Sequence, residues 1–122
     1  MTTAVPLLLV VDDDPSVLLL VDVLAEKMGF RVKAVSNGLQ ALEHLRYGLQ
    51  PAVILLDIMM ERIDGLTFIN HLREMPAHEL TPVVAMSTAS VLDRYGEQLQ
   101  NSGTLLKPLT QATLSQALAK YR

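Results

Sequence analysis

Polar residues that could do chemistry follow four short apolar segments of this 122-residue sequence, each where the segment ends. In chain order they are Asp12 with Asp13, then Asp57, Ser87 and Lys107. Carboxylates brought close together repel one another and raise one another's pKa unless a cation compensates. Oxygen ligands without a neighbouring histidine or cysteine are typical of a site for Mg²⁺ or Mn²⁺. A carboxylate nucleophile, a divalent cation, a hydroxyl and a lysine are together what phosphoryl transfer requires.

Turn and cap residues divide the sequence into apolar, strand-length segments that alternate with helical segments. The segment from Val53 to Leu56 is apolar throughout, which is typical of a strand buried on both faces of a parallel sheet. Regular alternation of this kind indicates βαβ units with right-handed crossovers. The predicted strands cover 7–11, 30–35, 53–56, 83–87 and 104–106, and the predicted helices cover 16–28, 39–47, 66–74, 89–100 and 111–121.

This pattern predicts an α/β fold, namely a flavodoxin-like, doubly wound, five-stranded parallel sheet of order 2-1-3-4-5 with five flanking helices. The length suits a single domain, which we expect over residues 1–122. In such a sheet the first and third strands are neighbours, and ligands bind at the carboxyl ends of the strands. We therefore expect the polar residues that end the strands to meet at one place.

Composition excludes several other classes of function. The net charge is −3 and the basic residues are scattered, so we expect no direct nucleic-acid binding by this domain. The sequence has no cysteine, which excludes disulfides, thiol catalysis and cysteine-based zinc sites. The first residues lack the pattern of a signal peptide, and no apolar segment approaches the roughly 20 residues that cross a bilayer. We expect a cytoplasmic protein without a membrane segment.

Four segments carry a family resemblance: LLLVVDDDP at 7–15, VILLDIMMERIDG at 53–65, PVVAMS at 82–87 and LLKPL at 105–109. In this order and spacing, the chain resembles the receiver domain of two-component response regulators over essentially its full length. The resemblance implies that Asp57 accepts a phosphoryl group from a phosphohistidine on a histidine kinase or a histidine phosphotransfer protein. It implies a signalling domain that catalyses only its own phosphorylation and dephosphorylation and is not a conventional enzyme.

The resemblance also implies a metal site. Asp13 and Asp57 would bind Mg²⁺ or Mn²⁺ directly, together with the backbone carbonyl of Met59. Asp12 would act through a water molecule.

Around the phosphoryl group, the resemblance implies a hydrogen bond from Ser87 and an ion pair with Lys107. It also implies a cis peptide bond between Lys107 and Pro108. Phosphorylation would change a surface near the fourth helix, the fifth strand and the fifth helix, which would act on an output domain or an effector protein. A homodimer through the fourth or fifth helix is compatible with this interpretation.

Several residues depart from the family pattern. Glu61 stands where proline is usual, and Thr104 stands where the family has an aromatic residue that moves during switching. Gln100 and Asn101 replace a usual Gly-Ala pair, and the segment from residue 87 to 107 is short. These departures indicate that the output surface of this chain is altered.

Other residues are predicted to have structural roles. Asp14, before Pro15, is predicted to cap the first helix. The histidines at 44, 71 and 78 lie away from the strand ends, so we expect them to be surface residues and neither ligands nor bases.

Two alternatives use nearly the same residues. A phosphatase of the haloacid-dehalogenase type would use Asp12 as nucleophile and Asp14 as acid-base, with Ser87 and Lys107 in support, and would leave Asp57 unused. A degenerate receiver would bind a partner without phosphorylation. The position of the phosphoryl group separates the three hypotheses: it would be on Asp57 in a receiver and on Asp12 in the phosphatase, and a degenerate receiver would carry none.

Overall fold

The centre of the fold is a parallel sheet whose strands are short and apolar. In the computed structural model of the chain, the structure describes residues 5–60, 62–97, 99 and 102–122. The strands are β1 Leu7–Val11, β2 Arg31–Val35, β3 Val53–Asp57, β4 Val83–Ser87 and β5 Gly103–Leu106. Their order is β2-β1-β3-β4-β5, and every neighbouring pair is parallel. The predicted fold class and strand order are confirmed.

Helices connect successive strands and cover both faces of the sheet. They are α1 Pro15–Lys27, α2 Gly38–Arg46, α3 Gly65–Glu74, α4 Ala89–Arg94 and α5 Gln111–Leu118, with 3-10 turns at Pro76–His78 and Ala119–Tyr121. Four of these helices are preceded by a capping residue whose side chain accepts a hydrogen bond from a backbone N–H of the first turn. These residues are Asp14, Asn37, Asp64 and Thr110. In the part of the chain that the structure describes, no helix has the length and apolar character needed to cross a bilayer.

The core consists of one apolar layer on each face of the sheet. The α1/α5 layer contains alternate strand residues, such as Leu8, Leu55 and Met86, packed against α1 and α5. The α2/α3 layer contains the residues between them, such as Leu9 and Leu56, packed against α2 and α3. Both layers bury the central strands completely, which explains why β3 is a continuous apolar run.

The strand register brings the carboxyl ends of the strands to one level. Val11 lies beside Leu56, and Asp57 lies beside Met86. Ser87 then lies beside Leu106. The residues that end β1, β3, β4 and β5 therefore share one end of the sheet, which we call the carboxyl end of the sheet.

α4 is shorter than predicted. The expected helix at 89–100 ends at Arg94, and Gly96 follows within a turn. All six residues of α4 are exposed or half-buried, so packing against the core does little to extend it. The departures at Glu61, Gln100 and Asn101 lie outside the described residues.

The prediction of surface histidines is wrong for His78. His71 is exposed and His44 is half-buried, but His78 is only 1% exposed. Its Nδ1 lies 2.9 Å from Thr81 Oγ1, and Arg73 donates hydrogen bonds to the carbonyl oxygens of His78 and Thr81 at 3.0 and 2.7 Å. These contacts fold the segment before β4 onto the end of α3. The local sequence showed only a proline-containing loop.

Candidate functional site

The predicted acidic residues meet at the carboxyl end of the sheet. Asp12 directly follows β1 and Asp57 ends β3, and these strands are neighbours. Carboxylate oxygens of Asp12, Asp13 and Asp57 all lie within 4.8 Å of one another. Asp12 and Asp57 are buried, whereas Asp13 is exposed. One end of the group is therefore open to solvent.

Lys107 joins this group from the end of β5. Its Nζ lies 3.0 Å from Asp12 Oδ2 and 3.4 Å from Asp57 Oδ2. Its backbone N–H donates to the carbonyl oxygen of Ser87 at 2.9 Å, which fixes the residue against β4. Burial alone lowers the pKa of Lys107, but the hydrogen bond to Asp12 and the charge of Asp57 outweigh burial and raise the pKa overall. The lysine stays charged at neutral pH.

The pKa of Asp57 is raised to about 6, mainly because burial disfavours the charged carboxylate and also because Asp12 is negative. The charge of Lys107 and the hydrogen bond from the backbone N–H of Met59 to Asp57 Oδ1, at 3.2 Å, act in the opposite direction. Asp57 is therefore ionised above about pH 6, and it is held in a site where negative charge is unfavourable.

Asp12 is fully buried and both of its oxygens accept hydrogen bonds. Oδ1 accepts from the backbone N–H of Asp14 at 2.9 Å, and Oδ2 accepts from Lys107. The side chain of Asp14 accepts from the backbone N–H of Ser16 at 2.9 Å, as predicted for a helix cap. Asp12 is therefore poorly placed as a nucleophile, and Asp14 is already used at the start of α1.

Ser87 lies at the carboxyl end of the sheet but on the other face of β4. It is 3% exposed and continues the alternation of the α2/α3 layer. Thr88, which was not among the residues predicted for the site, is exposed and lines the same cavity as Lys107. Two adjacent hydroxyl residues at the end of a strand were the signal that could have identified it.

A cavity of about 420 Å³ opens beside Lys107 between the start of α1 and the segments that follow β4 and β5. Its wall is mainly apolar, with Val17, Leu20 and Leu109, and its polar groups include Thr88 and Lys107. The peptide bond between Lys107 and Pro108, on the rim of this cavity, is cis as predicted. The cavity has the size of a small-ligand site and leads to the lysine that contacts Asp57.

The donor set fits a hard divalent cation. The close carboxylates are hard oxygen ligands, and burial together with the negative charge of Asp12 keeps the pKa of Asp57 raised although Lys107 acts to lower it. Mg²⁺ binds through one or two carboxylates and keeps several water molecules, which suits a site with one exposed side.

Comparison with known proteins decides the family. The family model described as the response regulator receiver domain matches residues 8–119. This chain belongs to that family. A receiver domain is a phosphorylation-dependent signalling switch, and proteins similar to this one include both response regulators and histidine kinases.

Two relatives show how the domain occurs in longer proteins. The transcriptional regulatory protein ZraR of Klebsiella oxytoca is 36% identical to this receiver domain over 121 residues. The match covers 94% of this chain and 27% of ZraR. The signal transduction histidine-protein kinase BarA of Escherichia coli is 32% identical over 115 residues. That match covers 92% of this chain and 12% of BarA. The chain thus spans less than a third of either relative.

Solved structures agree with the fold over the whole receiver domain. The chemotaxis protein CheY4 of Vibrio cholerae is 25% identical, with a TM-score of 0.86 and coverage of 98% of this chain and 100% of that chain. The receiver domain of the sensor histidine kinase PA1611 from Pseudomonas aeruginosa is 26% identical, with a TM-score of 0.83 and coverage of 97% and 98%. In that second structure a magnesium ion is coordinated in the active-site cleft.

Proposed function

We propose that Asp57 is the phosphoacceptor of this receiver domain. The observation that carries the proposal is the position of its carboxylate, which lies 3.4 Å from the Lys107 ammonium and within 4.8 Å of two further carboxylates at the carboxyl end of the sheet. Ligands of open α/β sheets bind at this end of the strands. Asp57 ends β3, the central strand of the sheet, and its backbone is paired in register with Met86 of β4.

The proposed reaction is a direct transfer from a donor to the Asp57 carboxylate. A carboxylate oxygen of Asp57 forms a bond to phosphorus, and the bond from phosphorus to the imidazole nitrogen of a donor phosphohistidine breaks. The bonding electron pair stays with that nitrogen. Lys107 places a positive charge beside the oxygens of the transferring group. With a pKa of about 6, Asp57 is ionised and nucleophilic at neutral pH.

We propose that Asp13, Asp57 and the backbone carbonyl of Met59 bind Mg²⁺ or Mn²⁺ directly and that Asp12 acts through a water molecule. The engagement of both Asp12 oxygens supports its indirect role, and the exposure of Asp13 supports direct access. When bound, the ion would neutralise negative charge on the transferring group.

The switch follows from the same charges. A dianionic group on Asp57 would attract Lys107 and the hydroxyl of Ser87, and this would bias the surface formed by α4, β5 and α5. The phosphodonor would be a histidine kinase or a histidine phosphotransfer protein, and the receiver would act on an output domain or an effector. A homodimer through α4 or α5 and a cytoplasmic location are parts of the same proposal, as is catalysis of its own phosphorylation and dephosphorylation.

Neither alternative is favoured. The phosphatase hypothesis needs Asp12 as a free nucleophile, but Asp12 is buried with both oxygens occupied. The degenerate receiver would have lost part of its site, but Asp57, Lys107 and the acidic pair are all in place. Position 104, on β5, holds an exposed threonine. The aromatic side chain that usually takes part in switching is therefore missing from that position.

Intact-mass measurement tests the proposal. We expect the protein to gain one phosphoryl group when it is incubated with acetyl phosphate and Mg²⁺. The gain should disappear in EDTA and in the Asp57→Asn variant, while Asp14→Asn should still be phosphorylated. Peptide mapping that places the phosphoryl group on Asp12, or the absence of any gain in the wild type, would disprove the assignment.

A further inference from the structure

The side chain of Thr88 belongs to the face of the sheet that carries Asp57, and that of Ser87 does not. Along β4, Met86 packs in the α1/α5 layer, and Ala85 packs in the α2/α3 layer. The backbone of Thr88, just after β4, is extended with φ −75° and ψ 162°, and its side chain lines the cavity that also contains Lys107. Thr88 therefore follows Met86 on the α1/α5 face, whereas Ser87 follows Ala85 on the opposite face.

Asp57 and Lys107 lie on this same face by the same rule. Leu55 of β3 and Leu105 of β5 both pack in the α1/α5 layer, and Asp57 and Lys107 are two residues further along each strand. The hydrogen bond from Lys107 N–H to the Ser87 carbonyl continues the parallel pairing beyond β5. Thr88 thus comes next to Lys107 at the carboxyl end of the sheet.

Within the described part of the chain, the hydroxyl of Thr88 makes no short hydrogen bond. Although it precedes α4, its side chain makes no capping hydrogen bond to the described residues of that helix. Its Oγ1 lies 3.4 Å from Ser90 Oγ, which is a long contact between two exposed hydroxyls. The side chain instead faces the cavity of about 420 Å³ that also contains Lys107.

We propose that Thr88 is a second hydroxyl of the phosphoryl-transfer site, which donates a hydrogen bond to the phosphodonor as it enters the cavity beside Lys107. The proposal rests on phosphorylation of Asp57. Thr88 is then a positioning residue, because it orients the donor and takes no part in making or breaking bonds.

Three variants test the role with acetyl phosphate as the donor and Mg²⁺ present, with phosphorylation followed by intact mass. Thr88→Val keeps the shape of the side chain but removes the hydroxyl, and we expect the second-order rate constant of phosphorylation to fall about threefold to tenfold, the value of one hydrogen bond. Thr88→Ser should restore most of the rate. Ser90→Ala should leave the rate unchanged.

The outcomes separate this inference from the proposed function. If the wild type is phosphorylated and Thr88→Val reacts at the same rate, the role of Thr88 is disproved. A loss in Ser90→Ala equal to that in Thr88→Val would also disprove it, because the loss would then come from the contact between the two hydroxyls. If the wild type itself is not phosphorylated, the assignment of Asp57 fails first. Equal melting temperatures of all variants would show that the fold is intact.

Discussion

At the scale of single residues, the ionisation of Asp57 links the stability of the fold to its proposed chemistry. Burial and the negative charge of Asp12 raise its pKa from 3.8 to about 6. The folded protein therefore holds a proton on Asp57 over a pH range in which the unfolded chain has already lost it. Ionisation of Asp57 consequently destabilises the metal-free fold.

We predict that Asp57→Asn stabilises the metal-free protein by about 2 to 3 kcal/mol at neutral pH, because each pKa unit corresponds to about 1.4 kcal/mol. The difference between variant and wild type should be small below about pH 4, grow between about pH 4 and pH 6, and level off above that range. Urea unfolding in EDTA at several pH values measures this difference.

Asp14→Asn is the matched control for that experiment. Asp14 is exposed, and asparagine caps a helix as well as aspartate does. We therefore expect its free energy of unfolding to stay within about 0.5 kcal/mol of the wild type. If Asp57→Asn is no more stable than this control at neutral pH, the raised pKa of Asp57 is wrong.

At the scale of elements, α4 and α5 begin differently. Thr110 accepts from the backbone N–H of Thr113 at 3.1 Å and Thr113 bonds back, which forms a capping box at α5. Thr88 precedes α4 without such a bond to the described residues of that helix. The short α4 therefore depends on the few half-buried side chains that reach the core.

We predict that Thr110→Ala lowers the free energy of unfolding by about 1 kcal/mol, whereas Thr88→Ala changes it by less than about 0.5 kcal/mol. Both positions precede helices and both side chains are exposed. The difference between the two losses of unfolding free energy therefore reports the capping hydrogen bonds. Chemical denaturation of the two variants is the measurement, and equal losses would contradict the difference in capping.

The turn between β3 and α3 is packed too tightly for a side chain at Gly65. A Cβ added there would lie 2.7 Å from the Cα of Ile58 and 3.1 Å from the carbonyl oxygen of Asp57. The backbone N–H of Gly65 also donates to the Ile58 carbonyl at 2.9 Å. The glycine therefore holds the loop close to the residue that we propose is phosphorylated.

We predict that Gly65→Ala destabilises the protein by about 2 kcal/mol or more and slows phosphorylation of Asp57, because the backbone beside Asp57 must move. Gly96→Ala is the control, since its added Cβ would make only ordinary contact, 3.4 Å from the Leu92 carbonyl oxygen. Thermal unfolding and the phosphorylation assay should leave Gly96→Ala near the wild type. If Gly65→Ala unfolds and is phosphorylated like the wild type, the loop is less tightly packed than the structure indicates.

At the scale of the whole molecule, the acidic group joins segments that are far apart in the sequence. Asp12 and Asp13 follow β1 and Asp57 ends β3, so a cation bound to the carboxylates would join the ends of these two strands. A ligand that binds only the folded state stabilises it in proportion to the logarithm of its concentration.

We predict that Mg²⁺ raises the melting temperature relative to EDTA and that the rise grows with Mg²⁺ concentration. Asp13→Ala should reduce this rise, because it removes the exposed carboxylate of the group. NaCl at matched ionic strength controls for screening. An equal rise in the wild type and in Asp13→Ala would argue against direct binding by Asp13.

The sequence by itself determined the strand order and the place of the site. Continuous apolar segments such as Val53 to Leu56 are stable only between two layers of helices, and parallel strands put their carboxyl ends at the same end of the sheet. The polar residues that end those strands therefore share one end of the sheet, whatever the details of packing. The capping role of Asp14 was equally local and equally predictable.

Only the tertiary structure decided the burial of individual groups. The bond from Lys107 to Asp12 joins two distant segments, and the burial of His78 and the early end of α4 depend on how each segment packs against the rest of the fold. The pKa of Asp57 is decided in the same way, because desolvation and the charges of Asp12 and Lys107 come from other strands. Local sequence shows which residues reach the carboxyl end of the sheet, but it does not show how far each is removed from water or which partner each one meets.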